Sequence, residues 1–166
     1  MAFTVHKTLT IRSEKCTGCR TCEAACSSSH YGVLDFGKSR IRMIRNDDAG
    51  LDVVTVCVQC DEKPCIEACP VDAITANDDG TVAISAECTR CGRCKRACPY
   101  SGPQPDPKGD SYIVCDLCGG TPACVEWCPF EVLEFSDGYN SEEDAKLRRL
   151  VEEIETNNKK ALSMKA

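Results

Sequence analysis

The chain has 166 residues, 16 of them cysteine, and aromatic residues make up only 5%. A short chain with so much sulfur and so few large rings is held together by sulfur chemistry as well as by apolar burial. A net charge of -6 excludes the basic face that nucleic acid requires. The longest nearly unbroken apolar stretch, Val53 to Val58, is six residues long, against the roughly 20 of a membrane-spanning helix. No Walker loop or G-x-G-x-x-G run marks a nucleotide or flavin site. The opening segment MAFTVHKTLTIRSEKC shows no export signal. The expected location is therefore the cytoplasm, where thiols stay reduced and metal binding is favoured over disulfides.

In chain order, Phe3, Val5, Leu9 and Ile11 alternate as in an opening strand. Ile41 and Met43 lead through Asn46, Asp47, Asp48, Ala49 and Gly50 into LDVVTVCV, two β-prone runs around a turn. AIT and TVAIS flank NDDG and predict a second, shorter hairpin. SGPQPDPKGD carries three prolines and reads as an exposed connector or a partner contact. Ser141 with Glu142, Glu143 and Asp144 predicts an N-capped helix start. Leu147, Leu150, Val151 and Ile154 then fall on one stripe, which predicts a helix over 141–157. The stripe either packs on its own core or docks on a neighbouring subunit.

The cysteines form four runs of four: Cys16, Cys19, Cys22, Cys26; Cys57, Cys60, Cys65, Cys69; Cys88, Cys91, Cys94, Cys98; and Cys115, Cys118, Cys124, Cys128. The first and third runs are C-x2-C-x2-C-x3-C, and the other two differ only in a longer middle gap. Pro70, Pro99 and Pro129 follow the last cysteine of three runs, whereas Ser27 follows Cys26. A tight loop with a thiolate at every third residue can wrap three corners of a cubane cluster, and the fourth corner must be reached from elsewhere. Proline suits the turn out of such a loop because it fixes φ and removes a donor. Zinc sites instead pair two C-x2-C or C-x2-H units across a spacer. Four repeats of a three-plus-one pattern therefore point to four 4Fe-4S clusters.

CTGCRTCEAACS, VCVQCDEKPCIEACPVDAI, CTRCGRCKRACPY and CDLCGGTPACVEWCPF together resemble the four-cluster electron-transfer subunits of the dimethyl sulfoxide reductase and formate dehydrogenase superfamily. Residues 16–135 carry the resemblance. The short form looks most like the polyferredoxin subunits that accompany tungsten-containing aldehyde oxidoreductases. In that family the runs pair in a nested way. The resemblance thus implies one cluster on Cys16, Cys19, Cys22 and Cys128, a second on Cys57, Cys60, Cys65 and Cys98, a third on Cys88, Cys91, Cys94 and Cys69, and a fourth on Cys115, Cys118, Cys124 and Cys26. Spacing alone supports only the inner pair, between residues 57 and 98.

The expected fold class is α+β, with tandem, nested bacterial two-cluster ferredoxin-like modules, short β-hairpins, small helices and a C-terminal helix. Residues 1–139 form the four-cluster domain, its inner module 53–100 nested in an outer one of 1–52 plus 101–139, and residues 140–166 are a helical extension. With no catalytic constellation in view, the expected role is non-catalytic electron transfer. The expected partners are a large tungstopterin or molybdopterin subunit, a flavin or ferredoxin redox partner, and further copies of the chain joined end to end. The alternatives are a free polyferredoxin serving several enzymes and an iron-sulfur redox sensor.

Arg90, Arg93, Lys95 and Arg96 crowd the third run, while Asp61 and Glu62 sit in the second. The third-run cluster is therefore expected to have the higher potential of the inner pair. Lys38, Arg40, Arg42 and Arg45 form a second basic run, which either meets an acidic partner or keeps a strand edge soluble. His6 and His30 read as structural or exposed, and Trp127 as a shield over a cluster.

Overall fold

The computed structural model describes residues 7–46, 50–107, 109–138 and 140–163. It opens with β1 (Lys7–Ile11), which pairs antiparallel with β8 (Leu133–Asp137), Leu9 opposite Phe135 and Ile11 opposite Leu133. This pairing ties the two ends of the cysteine-rich region together. Phe3, Val5 and His6 lie outside the described residues. Within β1 the expected alternation is lost, since Thr8 and Thr10 are buried along with Leu9 and Ile11. Both faces of the strand are covered, and Thr8 Oγ1 donates to the Val58 carbonyl.

Both predicted hairpins form. In the first, β2 (Arg42–Asn46) pairs with β3 (Leu51–Thr55), Met43 opposite Val54 and Ile44 opposite Val53. Its turn residues Asp47, Asp48 and Ala49 lie outside the described residues. In the second, β4 (Ile74–Ala76) pairs with β5 (Val82–Ile84), and Asn77 and Thr81 close the turn through Asn77 N–H to Thr81 C=O at 2.8 Å.

Four helices carry the third cysteine of each run. They are α1 (Thr21–Tyr31), α2 (Pro64–Glu67), α3 (Arg93–Ala97) and α4 (Ala123–Glu126). The last three are a single turn long. Proline disfavours helical backbone in the residue before it, so the Cys-Pro pairs end these helices, and Cys98 sits extended at φ -81, ψ 117. Only α1, with Ser27 in place of proline, runs on for 11 residues. In space α1 lies against α4, and α2 against α3.

The proline-rich stretch departs from expectation. Residues 101–104 are buried rather than exposed, and β6 (Gln104–Pro105) pairs with β7 (Tyr112–Ile113). Gly102 explains the burial. A Cβ there would stand 2.9 Å from Cys57 Cα, so only glycine lets this segment lie against the second run.

The C-terminal helix α5 (Ser141–Ser163) is longer than predicted. Its cap is Asn140 rather than Ser141, since Asn140 Oδ1 accepts from the N–H groups of Glu142 and Glu143, each at 3.2 Å. Leu147, Val151 and Ile154 are buried in the same apolar cluster as Ile41, Val53 and Tyr100, with Leu150 half-buried beside them. The stripe is therefore spent on the chain's own core. Arg148 fixes the contact, stacking 5.0 Å from the Tyr100 ring and pairing with Glu62 at 3.2 Å. The molecule is thus a mixed assembly of short antiparallel hairpins and small helices, covered on one side by a long amphipathic helix.

Candidate metal centre

Each cysteine run begins as a loop with the same backbone device. The residue before the second cysteine is left-handed in all four runs: Gly18 (φ 66), Gln59 (φ 56), Arg90 (φ 54) and Leu117 (φ 55). Three of these are not glycine, and each such residue costs roughly 1–2 kcal/mol of backbone strain. The conformation turns the amide of the left-handed residue back towards the first thiol. Leu117 N–H donates to Cys115 Sγ at 3.4 Å, and the Gly18 and Gln59 amides serve Cys16 and Cys57 in the same way. Such amide concavities receive negative charge.

The fold brings the sixteen thiols into four neighbourhoods. Cys16, Cys19, Cys22 and Cys128 line one small cavity with Met43 and Phe130. Cys69, Cys88, Cys91 and Cys94 line another with Ile74 and Tyr112. Burial first, and then the neighbouring thiolates of Cys98, Cys60 and Cys94, push Cys65 up to about 11. Burial likewise raises Cys57, whose near charges are Cys115, Cys98 and Cys65. Around the fourth run, burial pushes Cys115 up to about 12, with Cys26 and Cys118 beside it. Burial also raises Cys124, which faces Cys115, Cys26, Cys118 and Cys22.

Electrostatic coupling also runs between groups, from Cys124 to Cys22, from Cys57 to Cys115 and from Cys65 to Cys94. These couplings link the groups in succession: the Cys16 group to the Cys115 group, that one to the Cys57 group, and that one to the Cys88 group. Cys19 in the first and Cys91 in the last are the exposed cysteines. All sixteen are unbridged. Sulfurs in groups of four, half of them buried and several with backbone amides aimed at them, form a donor set for thiolate-ligated iron.

Sequence reasoning missed two residues. Gln59 is 2% exposed, donates through Nε2 to the Cys115 carbonyl and accepts from Val82 N–H at 2.9 Å. It locks the second run to the fourth. His30, read as structural or exposed, joins Cys26 to Asp116 of the fourth run, with Nε2 3.0 Å from Asp116 Oδ1. The carboxylate of Asp116, then Cys26, raise its imidazole to about 10.

Trp127 is 48% exposed, and the ring that lines the cavity of Cys16, Cys19, Cys22 and Cys128 is Phe130, itself 45% exposed. Each member of the basic run Lys38, Arg40, Arg42, Arg45 has a partner within the chain. Lys38 pairs with Asp35, Arg40 with Asp116 and Arg45 with Asp52, while Arg42 donates to the carbonyls of Phe36 and Gly37.

Residues 51–138, more than half of the chain, match the 4Fe-4S dicluster domain, and residues 13–32 match a 4Fe-4S binding domain. The chain belongs to the 4Fe-4S dicluster family. As a member of that family it binds 4Fe-4S clusters. It is similar to the aliphatic sulfonate oxidoreductase polyferredoxin-like subunit of Pyrococcus furiosus, at 45% identity over 121 residues, covering 71% of this chain and 69% of the relative. It is also similar to the B subunit of the anaerobic dimethyl sulfoxide reductase of Haemophilus influenzae, at 32% identity with 75% and 70% covered. The B subunit of the polysulfide reductase of Wolinella succinogenes is 32% identical, with 74% and 71% covered. This dicluster-family protein is thus an iron-sulfur protein of the electron-transfer type found as subunits of oxidoreductase complexes. Among its described residues, no helix is long and apolar enough to cross a membrane.

Proposed function

We propose that the chain is the electron-relay subunit of an oxidoreductase complex and holds four 4Fe-4S clusters. Bound 4Fe-4S clusters each take up and release one electron. The chain's own residues bind, space and insulate them. The ligand sets we propose are Cys16, Cys19, Cys22 with Cys128; Cys57, Cys60, Cys65 with Cys98; Cys88, Cys91, Cys94 with Cys69; and Cys115, Cys118, Cys124 with Cys26. On this assignment residues 53–100 form an inner two-cluster module, nested in an outer one built from 1–52 and 101–139, with 140–166 as a helical extension.

The observation that carries the proposal is the succession of electrostatically coupled thiol groups, with an exposed cysteine in the first and in the last. A carrier that only stores an electron needs one site. Four in series suit a path between a catalytic subunit and a second redox protein. We assign the catalytic partner to the tungstopterin or molybdopterin class, a tungsten aldehyde oxidoreductase by resemblance; the polyferredoxin-like relative is named as a subunit of an oxidoreductase of aliphatic sulfonates. A flavin or ferredoxin partner would take the other end. Two exposed ends also permit copies to join head to tail in an array that need not close. Sixteen unbridged cysteines suit the reducing cytoplasm.

Anaerobic affinity purification of the tagged full chain from its native cells tests the assignment. About sixteen irons per chain, together with a co-purifying large subunit containing tungsten or molybdenum, is the expected result. A monomer that carries the iron but no such subunit would instead fit a free polyferredoxin. About eight irons or fewer would overturn the four-cluster count.

A further inference from the structure

The last cysteine of each run lies beyond its loop and needs its own means of orientation. In the second and third runs the Cys-Pro turn supplies it. The chain passes through a left-handed residue three positions on, Asp72 (φ 50) or Ser101 (φ 49). The next amide then returns to the sulfur: Ala73 N–H to Cys69 Sγ and Gly102 N–H to Cys98 Sγ, both at 3.3 Å. Cys26 has no such turn. Ser27 lets α1 continue to Tyr31, and inside a helix the amide four positions on is committed to the helix's own ladder.

Other groups occupy that place. Arg40 N–H, from a segment 14 residues away, donates to Cys26 Sγ at 3.3 Å. His30, four positions after Cys26, puts Nδ1 2.8 Å from the Cys26 carbonyl and 3.8 Å from its sulfur. The far side of the ring is held by Asp116, with Nε2 at 3.0 and 3.3 Å from its two oxygens. Asp116 is itself fixed by the Arg40 guanidinium at 2.5 Å and by Cys118 N–H at 3.0 Å. The result is a closed ring of contacts, Cys26 to His30 to Asp116 to Arg40 and back to Cys26. It joins α1, the segment after it and the fourth cysteine run.

We propose that His30, oriented by Asp116, is a positioning residue that replaces the missing Cys-Pro turn, holding Cys26 as a ligand and raising the potential of the cluster to which it belongs. The inference rests on the assignment of Cys26 to the Cys115, Cys118, Cys124 group. An N–H donor beside a ligand sulfur favours the added negative charge of the reduced state, so its removal lowers the potential. The effect is confined to one cluster, because the ring touches one thiol group.

The test is an anaerobic redox titration of the full, iron-loaded chain followed by electron paramagnetic resonance, with iron and sulfide analysis. His30→Leu is expected to keep its iron, shift one midpoint potential downward and leave the others in place. His30→Gln, which can still offer an N–H, is expected to recover part of the shift. Asp116→Asn retains an oxygen for Cys118 N–H but loses the carboxylate, and is expected to give a smaller shift of the same signal. Unchanged potentials in His30→Leu would overturn the role. Should His30→Leu fail to load iron, Asp116→Asn decides: a lowered single potential supports the role and an unchanged set overturns it. Cys26→Ser separates the two levels. If it loses or alters one signal while the His30 variants alter none, only the role of His30 falls. If it changes neither iron content nor any potential, the assignment of Cys26 falls first.

Discussion

Gln59 shows how much a single side chain between two cysteines can do. Its carboxamide serves both a carbonyl of the fourth run and an amide of β5, and it is almost fully buried. Leucine at this position would leave Cys115 C=O and Val82 N–H without partners, at a cost of about 1–3 kcal/mol. Anaerobic thermal unfolding of Gln59→Leu should therefore show a lower midpoint, with iron content unchanged at low temperature. Charge acts at the same scale. Arg93 is exposed beside Cys91, and its positive charge favours extra electron density on the adjoining site. Arg93→Glu should lower the potential of one cluster, and a redox titration in which every potential stays fixed or rises would refute this. Lys95 is less free to act, since its amine is half-buried and donates to Gln104 at 3.0 Å. The cysteines were legible in the sequence because their spacing is local. Gln59 and His30 were not, because their partners lie 56 and 86 residues away.

Among the elements, the four short helices separate by one residue. Cys-Pro ends α2, α3 and α4 within a turn or so, and Ser27 lets α1 run on. The proline rule read from the sequence thus carries structural content, and the departure at Cys26 is where the fold recruits His30 and Arg40. Ser27→Pro would restore the pattern of the other runs yet put proline inside a formed helix. A loss of about 3 kcal/mol or more is expected, read as a lowered anaerobic unfolding midpoint. The helix α5 was legible from its apolar stripe, although its cap and its end were each misjudged. The stripe alone could not say what it covers. With Ile154 only 1% exposed against the core, Ile154→Ala should cost about 2–5 kcal/mol. If that substitution left stability intact and instead broke a complex with a partner subunit, the packing seen here would not be the role of the stripe. Strand β8 and the small β6–β7 pair gave almost no local signal, since β8 finds its partner more than 120 residues earlier in the chain.

For the whole molecule, eight of the 16 cysteines are buried, in the same apolar cluster as the valines and isoleucines. Their sulfurs are both the candidate ligands and part of the core, so metal and fold are coupled. Anaerobic removal of iron with a strong chelator should open the structure, with loss of dispersed amide signals in nuclear magnetic resonance spectra. An apoprotein that kept its dispersion would show that apolar packing suffices. The net charge of -6 counts the cysteines as neutral, and thiolate ligation adds negative charge to that figure. The sequence by itself determined the chemistry: sixteen cysteines at fixed short spacings define loops that hold iron-sulfur clusters, because three sulfurs around a cubane need only local backbone. It also determined the two hairpins and the last helix, whose signals are local periodicities. Only the tertiary structure decided which distant segments lie beside each cysteine loop, the order in which the thiol groups follow one another, and what α5 covers. Those depend on contacts between segments far apart in the chain, where spacing carries no information and burial and hydrogen bonding choose the partner.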